Sequence, residues 1–220
     1  MIADTPKYQN WRRKMVKNLV DRGITDKRVL SVMEKLPRHI FAGETALDHI
    51  LYDVDYAVAI ECGQTISKPY TVAWQTQMLE IKSFDTVLEV GTGSGYQTAI
   101  LCELGARVFT VERQAQLYNK TKKLLADRGY TARCFLGDSF NGLPEMRDFR
   151  FDRILVTCGA PNIPQGLMQS LKVGGIMVIP VGDVEQRMLK IYKDGESSDQ
   201  WRVYDMGDAK FVPMLEGRNF

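Results

Sequence analysis

Histidine and cysteine are scarce in this chain, which holds two of the first and four of the second in 220 residues. The cysteines, Cys62, Cys102, Cys134 and Cys158, stand far apart, so neither the C-x-x-C spacing of a zinc site nor a dense disulfide framework is present. His39 and His49 have no ligand-spaced partners. No metal is therefore expected, and four reduced thiols point to the cytoplasm. Long apolar runs are missing as well. The longest, Ile176 to Val181, falls far short of the roughly 18 to 20 residues that span a bilayer, and the N-terminal MIADTPKYQNWRRK has no apolar signal core. No membrane partner is expected. Net charge is only +2 with 25% charged residues, which excludes disordered and tail-like compositions, and 45% apolar residues supply one sizeable core. A single domain over 1–220, working as a monomer, is the expectation.

The small net charge hides an asymmetry. Residues 1–40 carry a net +6 and the remainder a net −4. A solvated pair of amphipathic helices accounts for the basic segment, which has no groove-reading motif, so no nucleic acid is expected. Trp11, Met15, Leu19 and Val20 recur at helical spacing, with Gly23 placed to end the helix. A second helix is predicted from Asp26, turning Val29, Leu30, Val32 and Met33 inward and stopping before Pro37. Residues 41–69 are irregular. A helix follows over Tyr70 to Ile81, and from Asp85 strand and helix signals alternate: TVLEV, RVFTV, ARCFL, RILVT and GIMVIPV, with helices between them. That alternation predicts an α/β fold with a mostly parallel sheet covered on both faces. Arg187 to Tyr192 and Trp201 to Met206 lack a crossover helix and are predicted to close the sheet as an antiparallel pair.

The chemistry concentrates in VLEVGTGSGYQTAIL, where an apolar strand runs into Gly91, Gly93 and Gly95 and then a helix. Glycines there let the backbone turn sharply and approach a ligand, and the following helix start offers free N–H groups. Tyr96 occupies the third glycine position of a dinucleotide fingerprint, so G-x-G-x-G with the preceding Glu89 fits S-adenosylmethionine better. Glu112 ends the next strand where a ribose would present its hydroxyls, and Asp138 follows the strand after that, either as an adenine contact or as a helix N-cap. Val156 to Pro161 reads VTCGAP rather than the Asn/Asp-Pro-Pro-aromatic run of amino methyltransferases, which argues against base methylation, and no Ser-His-Asp order is present. Upstream, Thr65 and Ser67 alternate around Ile66 in GQTIS. A cradle for a carboxylate and a hydroxylated loop capping the next helix fit that segment equally well.

With these motifs in view, the chain closely resembles the protein-L-isoaspartate O-methyltransferase family. The resemblance runs through RGITDKRVLSVMEKLPRHIF, GQTISKPY, VLEVGTGSGYQTAIL, VERQ, LGDS, FDRILVTCGAP, LKVGGIMVIPVG and KFVPML. It implies a seven-stranded class I methyltransferase (Rossmann-like) sheet. An N-terminal helical segment and GQTIS substrate loop (1–69) would precede an S-adenosylmethionine-binding core (70–220). The implied reaction moves a methyl group from S-adenosyl-L-methionine to the free α-carboxylate of L-isoaspartyl residues in peptides and damaged proteins, starting a repair that proceeds through a succinimide. Ser67 matches the active-site serine, with Thr65 and Ile66 beside it at the methyl-transfer site. Glu89, Gly91, Gly93 and Gly95 match the cofactor loop, Glu112 the ribose acceptor, and Asp138 the adenine contact with Ser139 next to it.

Four positions depart from the family pattern. Ala59, Ile60 and Glu61 stand where Pro-Ile-Gly is usual, Ser139 replaces a glycine, and Cys158 replaces an alanine. Glu61 would weaken the binding of an anionic substrate if it faced the site. A related carboxyl methyltransferase with another substrate, or a non-catalytic cofactor-binding relative, are the alternatives these departures leave. The chemistry itself needs no strong base, because a carboxylate with a solution pKa of about 4 is already ionised at neutral pH.

Overall fold

The computed structural model describes residues 3–43, 49–138, 143, 146, 148–215 and 217. Helix α1 (Pro6–Asp21) begins with proline at its first turn, where no N–H is needed. It ends at Gly23, whose φ of +87° only glycine adopts cheaply. There the N–H of Gly23 donates to Val20 O and that of Ile24 to Leu19 O, a Schellman closure sealed by the buried Ile24 and Leu19 side chains. Val20, grouped with Trp11, Met15 and Leu19 by spacing, is 50% exposed. It follows Leu19 directly, so its side chain is rotated about 100° off the buried stripe of Met15 and Leu19. Helix α2 (Lys27–Lys35) is capped by the Asp26 carboxylate, which accepts from the Arg28 and Val29 N–H groups, and it stops ahead of Pro37 with Leu36 already extended. A short helix α3 (His39–Ala42) follows.

Residues 50–68 hold two single 3₁₀ turns, Ile50–Tyr52 and Glu61–Gly63, and a short ribbon, β1 (Val58–Ala59) antiparallel to β2 (Thr65–Ile66). Helix α4 (Pro69–Met78) then leads into alternating elements: β3 (Thr86–Val90), α5 (Tyr96–Glu103), β4 (Arg107–Glu112), α6 (Ala115–Asp127), β5 (Arg133–Leu136), β6 (Phe151–Val156), α7 (Gln165–Ser170), β7 (Leu171–Val181), β8 (Gln186–Lys193) and β9 (Trp201–Ala209). These form one seven-stranded sheet in the order β5-β4-β3-β6-β7-β8-β9. The first five strands pair in parallel, while β8 is antiparallel to both β7 and β9. Strand β9 therefore runs with the parallel set, and β8 alone opposes it. β3 is buried along its whole length, as its unbroken apolar run requires of a central strand covered on both faces.

One core joins the basic N-terminal helices to the sheet. Met15, Leu19, Val29 and Met33 pack in the same buried cluster as Ala99, Ile100 and Leu101 of α5 and Val178 of β7. Two buried cations meet carbonyls at helix ends. Lys193 donates to the carbonyls of Met168 and Leu171 at the end of α7, and Arg153 to those of Leu79 and Glu80 beyond α4. Strand order reverses between β3 and β6, and a crevice opens at the carboxyl ends of strands on either side of such a switch.

Candidate active site

A cavity of about 490 Å³ occupies that position, lined by the carboxyl ends of β3 and β4, the glycine loop, the β2 segment and the C-terminal stretch 210–215. The loop is pressed onto β6. Thr157 donates its hydroxyl to the Gly91 and Val90 carbonyls, and a Cβ at Gly91 would sit 2.5 Å from Thr157 Oγ1. With φ at +95° as well, position 91 admits only glycine. Gly93 donates its N–H to Glu112 Oε2 at 2.9 Å, while Oε1 accepts from the Gln114 N–H at 2.9 Å. Two backbone amides thus aim the Glu112 carboxylate from the end of β4 into the cavity. Gly95 lies off the wall. Its φ of +82° and the 2.7 Å from its absent Cβ to Thr121 Cγ2 show that it admits helix α6 against the loop.

Glu89, which the resemblance matches to the cofactor loop, does not line the cavity. It is wholly buried beneath the loop, where its Oε2 accepts from the hydroxyls of Thr98 at 2.5 Å and Thr110 at 2.7 Å. Thr110 in turn pairs with Thr92 of the loop at 2.7 Å. Burial pushes the Glu89 carboxyl up to about 7, and the neighbouring Glu112 charge adds to the rise. Glu89 ties β3, β4 and α5 together under the glycines. Asp138 does reach the wall, and its Oδ2 accepts from the Gly217 N–H at 2.9 Å. Ser139 lies outside the described residues.

Another part of the wall is built by the ribbon. Thr65 pairs with Ala59 and Ile66 with Val58. The turn between them carries Cys62 and Gly63 in the left-handed region, at φ of +58° and +65°. Thr65 is exposed, Ile66 buried and Ser67 half-buried, and all three reach the cavity. Ser67 is held from behind by Arg38, a residue that its sequence pattern did not single out. Arg38 is fully buried; its Nη2 donates to Ser67 O at 2.7 Å and its Nε to Leu51 O at 2.8 Å. Its guanidinium also lies over the ring of Tyr96, 4.8 Å from the centroid, at the start of α5. Burial lowers its pKa to about 10, which still leaves it charged at neutral pH. One side chain therefore ties the Ser67 loop to the first residue after the glycines. Basic residues in 1–40 look alike in sequence, so only the fold separates this one from the solvated ones.

The stretch containing Phe211, Val212 and Pro213 crosses the end of β6. The Gly159 N–H donates to Val212 O at 2.8 Å and the Met214 N–H to Gly159 O at 2.7 Å. Gln186 brackets Phe211 by accepting its N–H and donating to its carbonyl. The departures at Glu61 and Cys158 acquire a place too. Glu61 is ion-paired with Lys120, which holds its carboxyl below the usual range, and it does not line the cavity. Its charge is therefore offset away from the site. Cys158 lines the cavity, with burial raising its thiol to about 12. It is inert as a nucleophile at neutral pH.

Comparison with known proteins agrees with this geometry. The model of the family described as Protein-L-isoaspartate(D-aspartate) O-methyltransferase (PCMT) matches residues 10–219. A protein-L-isoaspartate O-methyltransferase of Flavobacterium psychrophilum is 49% identical over 219 residues, covering 99% of this chain and all of its own. One from Dictyoglomus thermophilum is 43% identical, covering 96% and 94%. Among solved structures, a Plasmodium falciparum protein described as a protein-L-isoaspartate O-methyltransferase in complex with S-adenosyl-L-homocysteine superposes with a TM-score of 0.79 at 23% identity, over 94% of this chain and 99% of that one. The last likeness carries the fold. With the family model spanning nearly every residue and relatives close to half identical end to end, the chain belongs to the protein-L-isoaspartate(D-aspartate) O-methyltransferase family.

Proposed function

We propose that this protein transfers a methyl group from S-adenosyl-L-methionine to the free α-carboxylate of L-isoaspartyl residues in peptides and damaged proteins. The observation that carries the reading is that the Thr65-Ile66-Ser67 segment and the glycine loop with Glu112 face one cavity. The residues fit the cofactor. Gly91 and Gly93 line the cavity with backbone alone, and the Glu112 carboxylate is aimed at it with acceptor capacity beyond its two amide bonds. We assign Glu112 to the ribose hydroxyls, Asp138 to adenine, Gly91, Gly93 and Ile66 to the cofactor wall, and Gly95 and Glu89 to shaping the loop from behind. The cofactor, when bound, supplies an electrophilic methyl group on a sulfonium.

Ser67 and Thr65 would orient the substrate carboxylate through their hydroxyls. Orientation is the main demand, because the carboxylate arrives ionised and a well-aimed pair of reactants reacts far faster than a free one. Donors that gripped the anion too tightly would oppose the reaction, since its charge falls as the ester forms. Half-buried Ser67 and exposed Thr65 suit a moderate grip. The inert Cys158 thiol offers no competing acceptor.

The same reading treats 1–220 as one methyltransferase domain, supported by the core shared between the N-terminal helices and the sheet. It has the protein act in the cytoplasm as a monomer without nucleic-acid or membrane partners. All four cysteines present as thiols support the reducing compartment. Mass spectrometry of an isoaspartyl peptide incubated with the protein and S-adenosyl-L-methionine is the test. A gain of one methyl group, followed by its slow loss as a succinimide forms, is expected; an unchanged peptide despite cofactor binding contradicts the assignment.

A further inference from the structure

Six charged side chains line the cavity among the described residues: Asp55, Lys68, Glu112, Arg113, Asp138 and Lys210. Three are acids, and each is engaged. Asp55 is ion-paired with Arg22, Glu112 accepts from two backbone amides, and Asp138 accepts from the Gly217 N–H. Arg113 donates to the Gly217 carbonyl at 3.2 Å. Lys68 and Lys210 differ from these. Neither ammonium makes a hydrogen bond or an ion pair with any described residue.

The two lysines come from separate wall segments. Lys68 directly follows Ser67, and Lys210 opens the stretch that crosses β6 beside Gly159. Lys68 lies near enough to Asp55 to favour its ionised form, but the Asp55 charge is already met by Arg22. The engaged acids Glu112 and Asp138 sit on the strand-end side where the cofactor is assigned. Two ammonium groups without a partner among the described residues therefore line the cavity apart from the residues assigned to the cofactor, one of them next to Ser67. A lysine with no internal partner is a point charge free to meet an external one, and charges at a cleft mouth act on encounter and specificity more than on the chemical step.

We propose that Lys68 and Lys210 form a cationic mouth that selects isoaspartyl sites flanked by acidic side chains. The proposal rests on the methyl-transfer reading above and names its preferred substrate class. An isoaspartyl residue already brings one carboxylate for Ser67. Flanking Asp or Glu side chains would meet the two ammonium groups, and flanking Lys or Arg would be repelled.

Three isoaspartyl peptides identical except for Glu, Ala or Lys on both sides of the isoaspartyl residue test this, with kcat/KM measured at low and high salt. The wild type is expected to favour the Glu peptide over the Lys peptide by about tenfold at low ionic strength and about twofold near 1 M salt, where the screening length shrinks to roughly 3 Å. The double variant Lys68→Gln/Lys210→Gln should bring the low-salt ratio within about twofold, since surface charge pairs are worth a few-fold each. Binding of S-adenosyl-L-homocysteine, followed by calorimetry, should be the same in both proteins. A wild type that treats the three peptides alike, or a double variant that keeps the full preference, overturns the proposal. Methylation of the Ala peptide by the wild type keeps the parent reading standing in either case. Failure to methylate any of the three, with cofactor still bound, removes both.

Discussion

A guanidinium taken out of water costs several kcal/mol unless acceptors meet it, and Arg38 is met by the Leu51 and Ser67 carbonyls and the Tyr96 ring. Lysine has no planar fork to serve both carbonyls at once. Arg38→Lys should therefore leave S-adenosyl-L-homocysteine affinity near wild type while lowering kcat/KM for an isoaspartyl peptide by at least about tenfold, because small misplacements of an acceptor are that costly. Wild-type kinetics in this variant would show that Ser67 does not depend on Arg38. Glu89 poses the opposite problem, an acid raised from 4.5 to about 7 by burial. Between those values the folded protein holds a proton that the unfolded chain has released, so stability falls as pH rises from about 4.5 to 7 and stays lower above it. Glu89→Gln can still accept from Thr98 and Thr110 and avoids that loss. Its melting temperature relative to wild type should rise from pH 5 to pH 8, by the equivalent of roughly 2 to 3 kcal/mol. Parallel pH profiles for the two proteins would contradict the burial account. At Glu112, removal of the carboxylate by Glu112→Ala should weaken S-adenosyl-L-homocysteine binding by about 10- to 100-fold in calorimetry, the range for lost hydrogen bonds to a charged group. Unchanged affinity would remove the ribose assignment.

At the scale of elements, the glycine loop works because a strand, a turn and a helix are each locked to a neighbour: Gly91 to Thr157, Gly93 to Glu112 and Gly95 to Thr121. Gly91→Ala places a methyl group against Thr157 Oγ1 in a backbone region that alanine resists. It should lower both cofactor affinity and thermal stability, and a variant that loses neither would refute the packing argument. These elements were legible because their signals are local. Periodicity located the helices, apolar runs the central strands, and Asp26, Gly23 and Pro37 the helix ends. What was not legible depends on neighbours remote in sequence. Glu89 and Glu112 look equivalent as acids before or after a strand, yet Glu112 is the last residue of β4 whereas Glu89 stands one residue inside the end of β3. A side chain within a strand covered on both faces is buried, so position within the strand was the available clue. Arg38 offered none, because nothing local distinguishes a buried arginine from the exposed ones around it. The antiparallel pairing of β8 with β9, by contrast, was legible from the missing crossover helix between them.

For the whole molecule, a net charge of +2 is the sum of unlike parts with different duties. The basic helices pack their apolar stripe against α4 and α5, and the segment after them lends a buried cation, Arg38, to the Ser67 loop. The three acids matched to cofactor binding divide between the wall, Glu112 and Asp138, and its support, Glu89. The Thr65-Ile66-Ser67 segment and the glycine loop thereby meet at the strand switch, and the proposed methyl transfer rests on that meeting. Its most direct test is methyl transfer from radiolabelled S-adenosyl-L-methionine to a matched pair of peptides that differ only in an isoaspartyl or an aspartyl residue at one position. The account predicts label on the isoaspartyl peptide and background on the aspartyl one; equal labelling of the two, or none on either while the cofactor binds, would contradict it.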